Sequence, residues 1–251
     1  MIRKSALLLL SLLSFSSFSQ NAMRPVNELI NLSEPAWTFV QQWIDSADNA
    51  VEVLSVDSIS AKEALFHIQV TTRSPMGAIV YMTGGLLIDN GWIRILGSGN
   101  EKLNRTLPDW NRGKTFDDFG EAPSFFFIAD DVIGGFFLLN GGGLGPDIGK
   151  VYYWSPQNLE YEPLNITYSE FLDFCFNGDL DEFYNGYRWT TWKTDITNIT
   201  GDEVFSFFPY LWTKEGKNLE EISRKIIPIE EQYALNREFR LQLGLKDNQT
   251  K

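Results

Sequence analysis

One histidine and one cysteine, His67 and Cys175, are all the imidazole and thiol in this 251-residue chain. A lone cysteine excludes an intrachain disulfide in any compartment. The two residues together fall short of the nitrogen and sulfur ligands of a structural zinc site. Nothing in the sequence ties His67 to a nucleophile, so a Ser-His or Cys-His mechanism has no support. Cys175 lies among aromatic residues with no base beside it, which marks an inert core thiol. Basic charge is scarce as well. From Thr115 to Tyr187 there are 13 acidic residues and one basic residue, Lys150. That balance, −12, equals the formal net charge of the whole chain. Nucleic acids and anionic membranes both require a basic face, so neither is an expected partner; a basic protein is.

Long apolar runs are missing too, apart from a short one near the start. Met1-Ile2-Arg3-Lys4 is a basic opening, and residues 6–15 are apolar and rich in leucine. Ser17-Phe18-Ser19 then sets small residues at −3 and −1 before Gln20. This reads as a secretory leader over residues 1–19, too short to span a bilayer. No cysteine follows the cleavage point at once, so no lipid anchor is expected. Removing Arg3 and Lys4 takes the mature net charge to −14, and nearly all of it lies in residues 115–187. The other reading of the start is translation from Met23. After the leader, the length and 43% hydrophobic content suit one domain over residues 23–243, with a polar tail over 244–251.

The pattern along that domain predicts an α+β fold, largely an antiparallel sheet flanked by helices, with a C-terminal helical extension. Ser33 reads as an N-cap, followed by Trp37, Val40, Trp43 and Ile44 at helical spacing. Strands are expected over residues 51–54, 64–71, 77–82, 85–88 and 91–96, with Asp89-Asn90-Gly91 as a hairpin turn. In the 64–71 strand, Ala64, Phe66, Ile68 and Val70 share one face, and His67 the other. Residues 97–123 form a long polar loop holding Trp110, a candidate for ligand binding. Then comes the apolar hairpin that begins Phe125-Phe126-Phe127, turns at Asn140-Gly141-Gly142-Gly143 and returns as Val151-Tyr152-Tyr153-Trp154. Thr167 and Glu170 form a capping box for the next helix. Residues 218–226 and 229–243 read as helical.

No catalytic constellation, cofactor motif or metal set emerges. Gly141 to Asp147 sits between two strands, so it fails as a dinucleotide loop. As a calcium repeat it is a single copy of a motif that works by stacking. A wide glycine-rich hairpin turn accounts for it. Asp117, Asp118, Asp130, Asp131 and Asp147 supply oxygen ligands in type, but their spacing matches no cation loop. Asp130-Asp131 also suits a turn at a strand end. The tryptophans Trp110, Trp154, Trp189 and Trp192 divide between core and exposed platforms that hold sugars or proteins.

Several stretches carry a family resemblance: Met23-Arg24-Pro25-Val26-Asn27-Glu28-Leu29-Ile30, residues 70–77 (VTTRSPMG), 84–99 (GGLLIDNGWIRILGSG), 130–143, 149–156, 168–189 and 208–215. They span about residues 23–243. In them the chain resembles a bacterial family known as domain of unknown function 2625, a resemblance that implies no reaction. Asp130-Asp131, Gly134-Gly135-Phe136-Phe137, residues 149–154 and Tyr168-Ser169-Glu170-Phe171-Leu172 are more distantly similar to the SUKH superfamily, which includes immunity proteins of toxin systems. That likeness implies an antiparallel sheet with helices against it and function by protein binding.

The leading expectation is thus a non-enzymatic, exported domain that binds a basic, toxin-like protein. Its contact residues would be Asp117, Asp118, Asp130, Asp131, Asp147 and Trp110. The alternative is an envelope protein that binds a small molecule or glycan, with or without hydrolysing it, at the 97–123 loop and nearby tryptophans; a third is self-association. N-terminal sequencing of the protein made in a secreting bacterium should begin at Gln20. A chain that starts at Met1 or Met23 would contradict the leader.

Overall fold

Seven strands follow one another in space in the same order as along the chain, each antiparallel to the next. The computed structural model describes residues 23–246, so the leader and the last residues of the tail lie outside the described part. Two helices come first, α1 (Val26–Leu29) and α2 (Trp37–Asp45), then strand β1 (Val51–Val53). Helices α3 (Ser58–Ile68) and α4 (Pro75–Met82) separate β1 from β2 (Gly85–Ile88) and β3 (Ile93–Leu96). A short helix α5 (Leu107–Asn111) precedes β4 (Phe125–Asp131), β5 (Phe136–Asn140), β6 (Lys150–Trp154) and β7 (Tyr161–Thr167). Helices α6 (Tyr168–Asn177), α7 (Leu180–Phe183) and α8 (Trp192–Asp195) follow. The chain ends with a separate hairpin, β8 (Glu203–Phe208) with β9 (Ser223–Pro228), and helix α9 (Ile229–Gln242). This is the α+β architecture expected, with its C-terminal helix.

The apolar runs of β4, β5 and β6 are continuous because both faces of the sheet are covered. Phe136 pairs with Trp154, and both meet Tyr233 of α9, ring centroids 6.0 and 5.9 Å apart. One residue along, Phe137 pairs with Tyr153 and points the other way, where Phe137 meets Phe171 of α6 at 4.9 Å. Cys175 lies on α6 with no exposed surface, and burial pushes its thiol up, consistent with a core residue. The capping box of α6 forms as read. Thr167 Oγ1 accepts from Glu170 N, and the Glu170 carboxylate accepts from Thr167 N at 2.6 Å.

Two expected strands are helices. Residues 58–68 present Ala61, Ala64, Leu65 and Ile68 at i, i+3, i+4 and i+7, and Asp57 caps them by accepting from Ile59 N and Ser60 N. Ala64, Phe66 and Ile68 also alternate, so their strand reading was a coincidence of period. Residues 75–82 open with Ser74 as N-cap and Pro75 in the first turn. They are buried from Met76 to Val80, and all-round burial erases the helical period. In the opposite direction, residues 223–228 are not helical but pair with β8, a long-range choice invisible to local propensity. Helix α2 starts at Trp37 rather than Ser33, because the Asn31 side chain first builds a turn by accepting from Ser33 N and Glu34 N.

One side chain of the 97–123 loop, Asn111, stands in for a missing strand neighbour of β4. Pairing of β3 with β4 ends at Ile95–Ala129, leaving the backbone of Phe127 without a strand neighbour on that side. Asn111 takes its place: its Oδ1 accepts from Phe127 N and its Nδ2 donates to Phe127 O, both at 2.8 Å. Asn111→Ala should therefore cost about 2–4 kcal/mol, since two buried backbone groups lose their partners. Thr167→Ala, a surface cap, should cost about 1 kcal/mol. Urea unfolding of the two variants checks the order; an Asn111 variant as stable as the cap variant would contradict it.

Candidate functional site

Asp130 and Asp131 end β4 and point to opposite faces of the sheet. Neither has exposed surface. Asp130 is bracketed by two arginines: Arg94 Nε lies 2.6 Å from its Oδ1 and Arg105 Nη1 2.6 Å from its Oδ2. Arg94, its cross-strand partner, also donates to Glu203 O and Asp131 O. Arg105 reaches Asp202 and Gly201 O. Asp131 faces the tyrosines. Its Oδ2 accepts from Tyr153 OH at 2.7 Å and Tyr184 OH at 3.0 Å, and its Oδ1 from Ile133 N and Gly135 N. The last two bonds build the β4–β5 turn that the sequence suggested. These two aspartates cannot belong to a contact surface: burial removes them from it, and their lone pairs are already used.

Trp110 is also withdrawn from solvent, at 4% exposure. It packs on Phe136 and Tyr233, and Arg105 and Lys114 lie 4.6 and 4.1 Å from its ring centroid. It holds the loop down and does not contact a ligand from this position. Asp147 is half-buried in the glycine-rich hairpin, where it accepts from Asn140 Nδ2 and from Tyr152 OH at 2.6 Å. Burial and then the Asp147 carboxylate push the Tyr152 hydroxyl up to about 12. Asp117 and Asp118 are exposed, on the loop after α5. The expected contact set is thus split between a surface loop, a hairpin scaffold and the sheet interior.

The loop covers something else. Between the end of α3, the start of α4, the loop and the adjoining ends of β4 and β5 lies an open cavity of about 210 Å³. Ile68, Val70, Met76, Phe116, Phe126 and Leu139 give it apolar walls. Its polar groups are few: His67, Gln69, Glu121 and Asn140. Gln69 takes a left-handed conformation, φ 54°, to end α3, and its amide is spent on Arg24 and on Phe66 O. Asn140 is spent on organising the hairpin. Glu121 accepts from Asp117 N. The His67 imidazole instead stacks on Phe119, 3.7 Å between centroids and 2° from parallel, and takes part in no hydrogen bond among the described residues. Its ring nitrogens are therefore free to meet a bound polar group. The strand reading of residues 64–71 hides this site, because it places His67 on a sheet face instead of at the end of α3. The Asp57 cap and the Ala61, Ala64, Leu65, Ile68 spacing were the signals that would have corrected it.

Chemically the cavity is a container. Among the described residues no three His, Cys, Asp or Glu side chains converge as a metal cage. The buried Asp131 instead makes a stability prediction. Burial raises its carboxyl above the usual range, against the opposing bonds from Tyr153, Gly135 and Tyr184. A carboxyl raised in the folded state gives stability below its unfolded value, about 4, that is lost as pH rises through the folded value. Asp131→Asn keeps an acceptor for the turn and carries no charge. Its stability relative to wild type should rise with pH from about 4 upward, whereas Asp131→Ala should cost about 2–4 kcal/mol throughout. Urea unfolding across that range would refute this if the Asn variant tracked wild type at a constant offset.

Residues 26–232 match the family described as "Protein of unknown function DUF2625". An uncharacterized protein of Haemophilus influenzae is 46% identical over 214 residues, 85% of this chain and 94% of its own length. The putative uncharacterized protein YbfG of Escherichia coli is 44% identical over 221 residues, 86% of this chain and 99% of its own length. No solved structure matches the chain, so the likeness to the SUKH superfamily gains no structural counterpart. No helix among the described residues is long and apolar enough to cross a membrane. With one family model matched over most of its length and two close relatives, the chain belongs to the DUF2625 family.

Proposed function

We propose that the chain is a binding protein for a small, predominantly apolar molecule held in the cavity under the 97–123 loop. The observation that carries this is the combination of open apolar space with a polar side chain, His67, that makes no hydrogen bond among the described residues. A cavity of about 150 Å³ already admits benzene in a protein interior. Space of about 210 Å³ therefore suits a substituted single ring, with the imidazole orienting one polar substituent. Export, argued from the leader, would make the ligand one met outside the cytoplasm.

A second reading keeps the acidic loop as a docking surface for a basic protein, toxin-like in the sharpest version. Asp117 and Asp118 support it by their exposure, and Glu121 by its place at the cavity. Asp130 and Asp131 drop out of it. Reversing Asp117 and Asp118 to lysine would weaken such a partner and leave a ring-sized ligand unaffected.

Thermal unfolding with toluene and with benzyl alcohol tests the first reading. Both should raise the midpoint saturably. Val70→Phe, which puts a ring into the cavity from a half-buried position, should weaken both by about tenfold or more. His67→Ala should weaken benzyl alcohol alone. Equal response of wild type and Val70→Phe would refute the site.

A further inference from the structure

We propose a second, separate ligand site for a sugar or similar polyol ring, between the β8–β9 hairpin and α9. Tyr210, Trp212 and Phe239 form an aromatic wall there, each half-exposed. The Tyr210 and Trp212 rings are parallel within 6° at 5.8 Å, and Phe239 tilts against them at 4.6 and 5.6 Å. Phe208, 66% exposed, extends the apolar surface from the end of β8.

Beside the wall is a narrow cavity of about 20 Å³, lined by Trp212 and Gln232 among others. That is room for one water-sized group. Two of its lining residues each carry a buried polar atom with no partner among the described residues: the indole Nε1 of Trp212, a donor, and Oε1 of Gln232, an acceptor. Gln232 is 8% exposed and its amide cannot turn to hide the oxygen. Its Nε2 is committed to Asn236 Oδ1 at 2.8 Å, and Asn236 Nδ2 to Gly134 O at 3.0 Å. Leaving both atoms dry is costly, so the slot selects an occupant.

The chemistry of that occupant is narrow. To answer both atoms from a space of that size, it donates and accepts through one small group. An ammonium only donates and a carboxylate only accepts, while an amide divides the tasks between two atoms and needs more room. A hydroxyl fits. Water has the same chemistry, but water gives no reason for the aromatic wall at the mouth. A sugar ring places a hydroxyl in the slot and its C–H face on Tyr210 and Trp212.

The test is a titration of the mature chain with methyl glucoside, methyl galactoside and N-acetylglucosamine, read by the NMR signal of the Trp212 indole N–H. Trp212→Phe assigns that signal by removing it, and thermal unfolding confirms that each variant folds. At least one sugar should move the signal saturably. Binding followed by calorimetry should weaken about tenfold in Trp212→Phe and in Gln232→Met, one hydrogen bond each. Val70→Phe, which fills the other cavity, should leave sugar binding unchanged. A signal that no sugar moves and that contacts a long-lived water would overturn the proposal, leaving a structural water only. So would sugar binding that survives both slot variants, or that Val70→Phe abolishes.

Discussion

Two adjacent carboxylates at the end of β4, pointing to opposite faces of the sheet, set where the parts of the molecule meet. Asp130 faces Arg94 of the neighbouring strand and Arg105 of the loop, and through those arginines it reaches residues 201–203 ahead of and into β8. Asp131 faces Tyr153 and Tyr184, beneath α6 and α7, and shapes the turn into β5. Burying ionised groups stabilises a fold only when every lone pair and N–H is answered, because desolvation otherwise exceeds the attraction. Here the answering groups come from the sheet, the loop and the terminal hairpin. The pair therefore fixes where those three parts meet, whatever its net contribution to stability.

That arrangement also accounts for the limits of reading charge along a sequence. Residues 115–187 hold nearly all of the excess negative charge, which along the sequence reads as one acidic face. Counting along a chain cannot distinguish Asp118, which is exposed, from Asp130, whose partners Arg94 and Arg105 lie 36 and 25 residues away. Local signals did survive. Asp89 and Asn90 adopt the positive φ values, 48° and 62°, that their Asp-Asn-Gly turn implied. The Thr167–Glu170 box and the helix over 229–242 were equally legible, since caps and amphipathic spacing are short-range. Residues 64–68 were not, because a small apolar set satisfied two periods at once. The cavity was beyond sequence reasoning for a simple reason: its walls come from α3, α4, the loop and two strand ends.

The two recessed sites occupy different parts of the fold and differ in chemistry. The cavity beside His67 is roomy and apolar, with its polar neighbours committed to holding its shape. The slot beside Trp212 is one water wide, and two of its lining residues carry a donor and an acceptor unanswered among the described residues. Both are reached past aromatic residues contributed by segments that follow or interrupt the sheet, the 97–123 loop in one case and the β8–β9 hairpin with α9 in the other. The meander itself is a scaffold. Function, on this account, belongs to what is fastened to it.

The most direct measurement is a crystal structure of the mature chain grown with bromobenzene derivatives, using the anomalous signal of bromine to find them. The account predicts a bromine between His67 and Leu139, inside the apolar walls, with the 97–123 loop in place. Bromine absent from that cavity, with ordered water filling it, would contradict the claim that the space exists to bind a ligand.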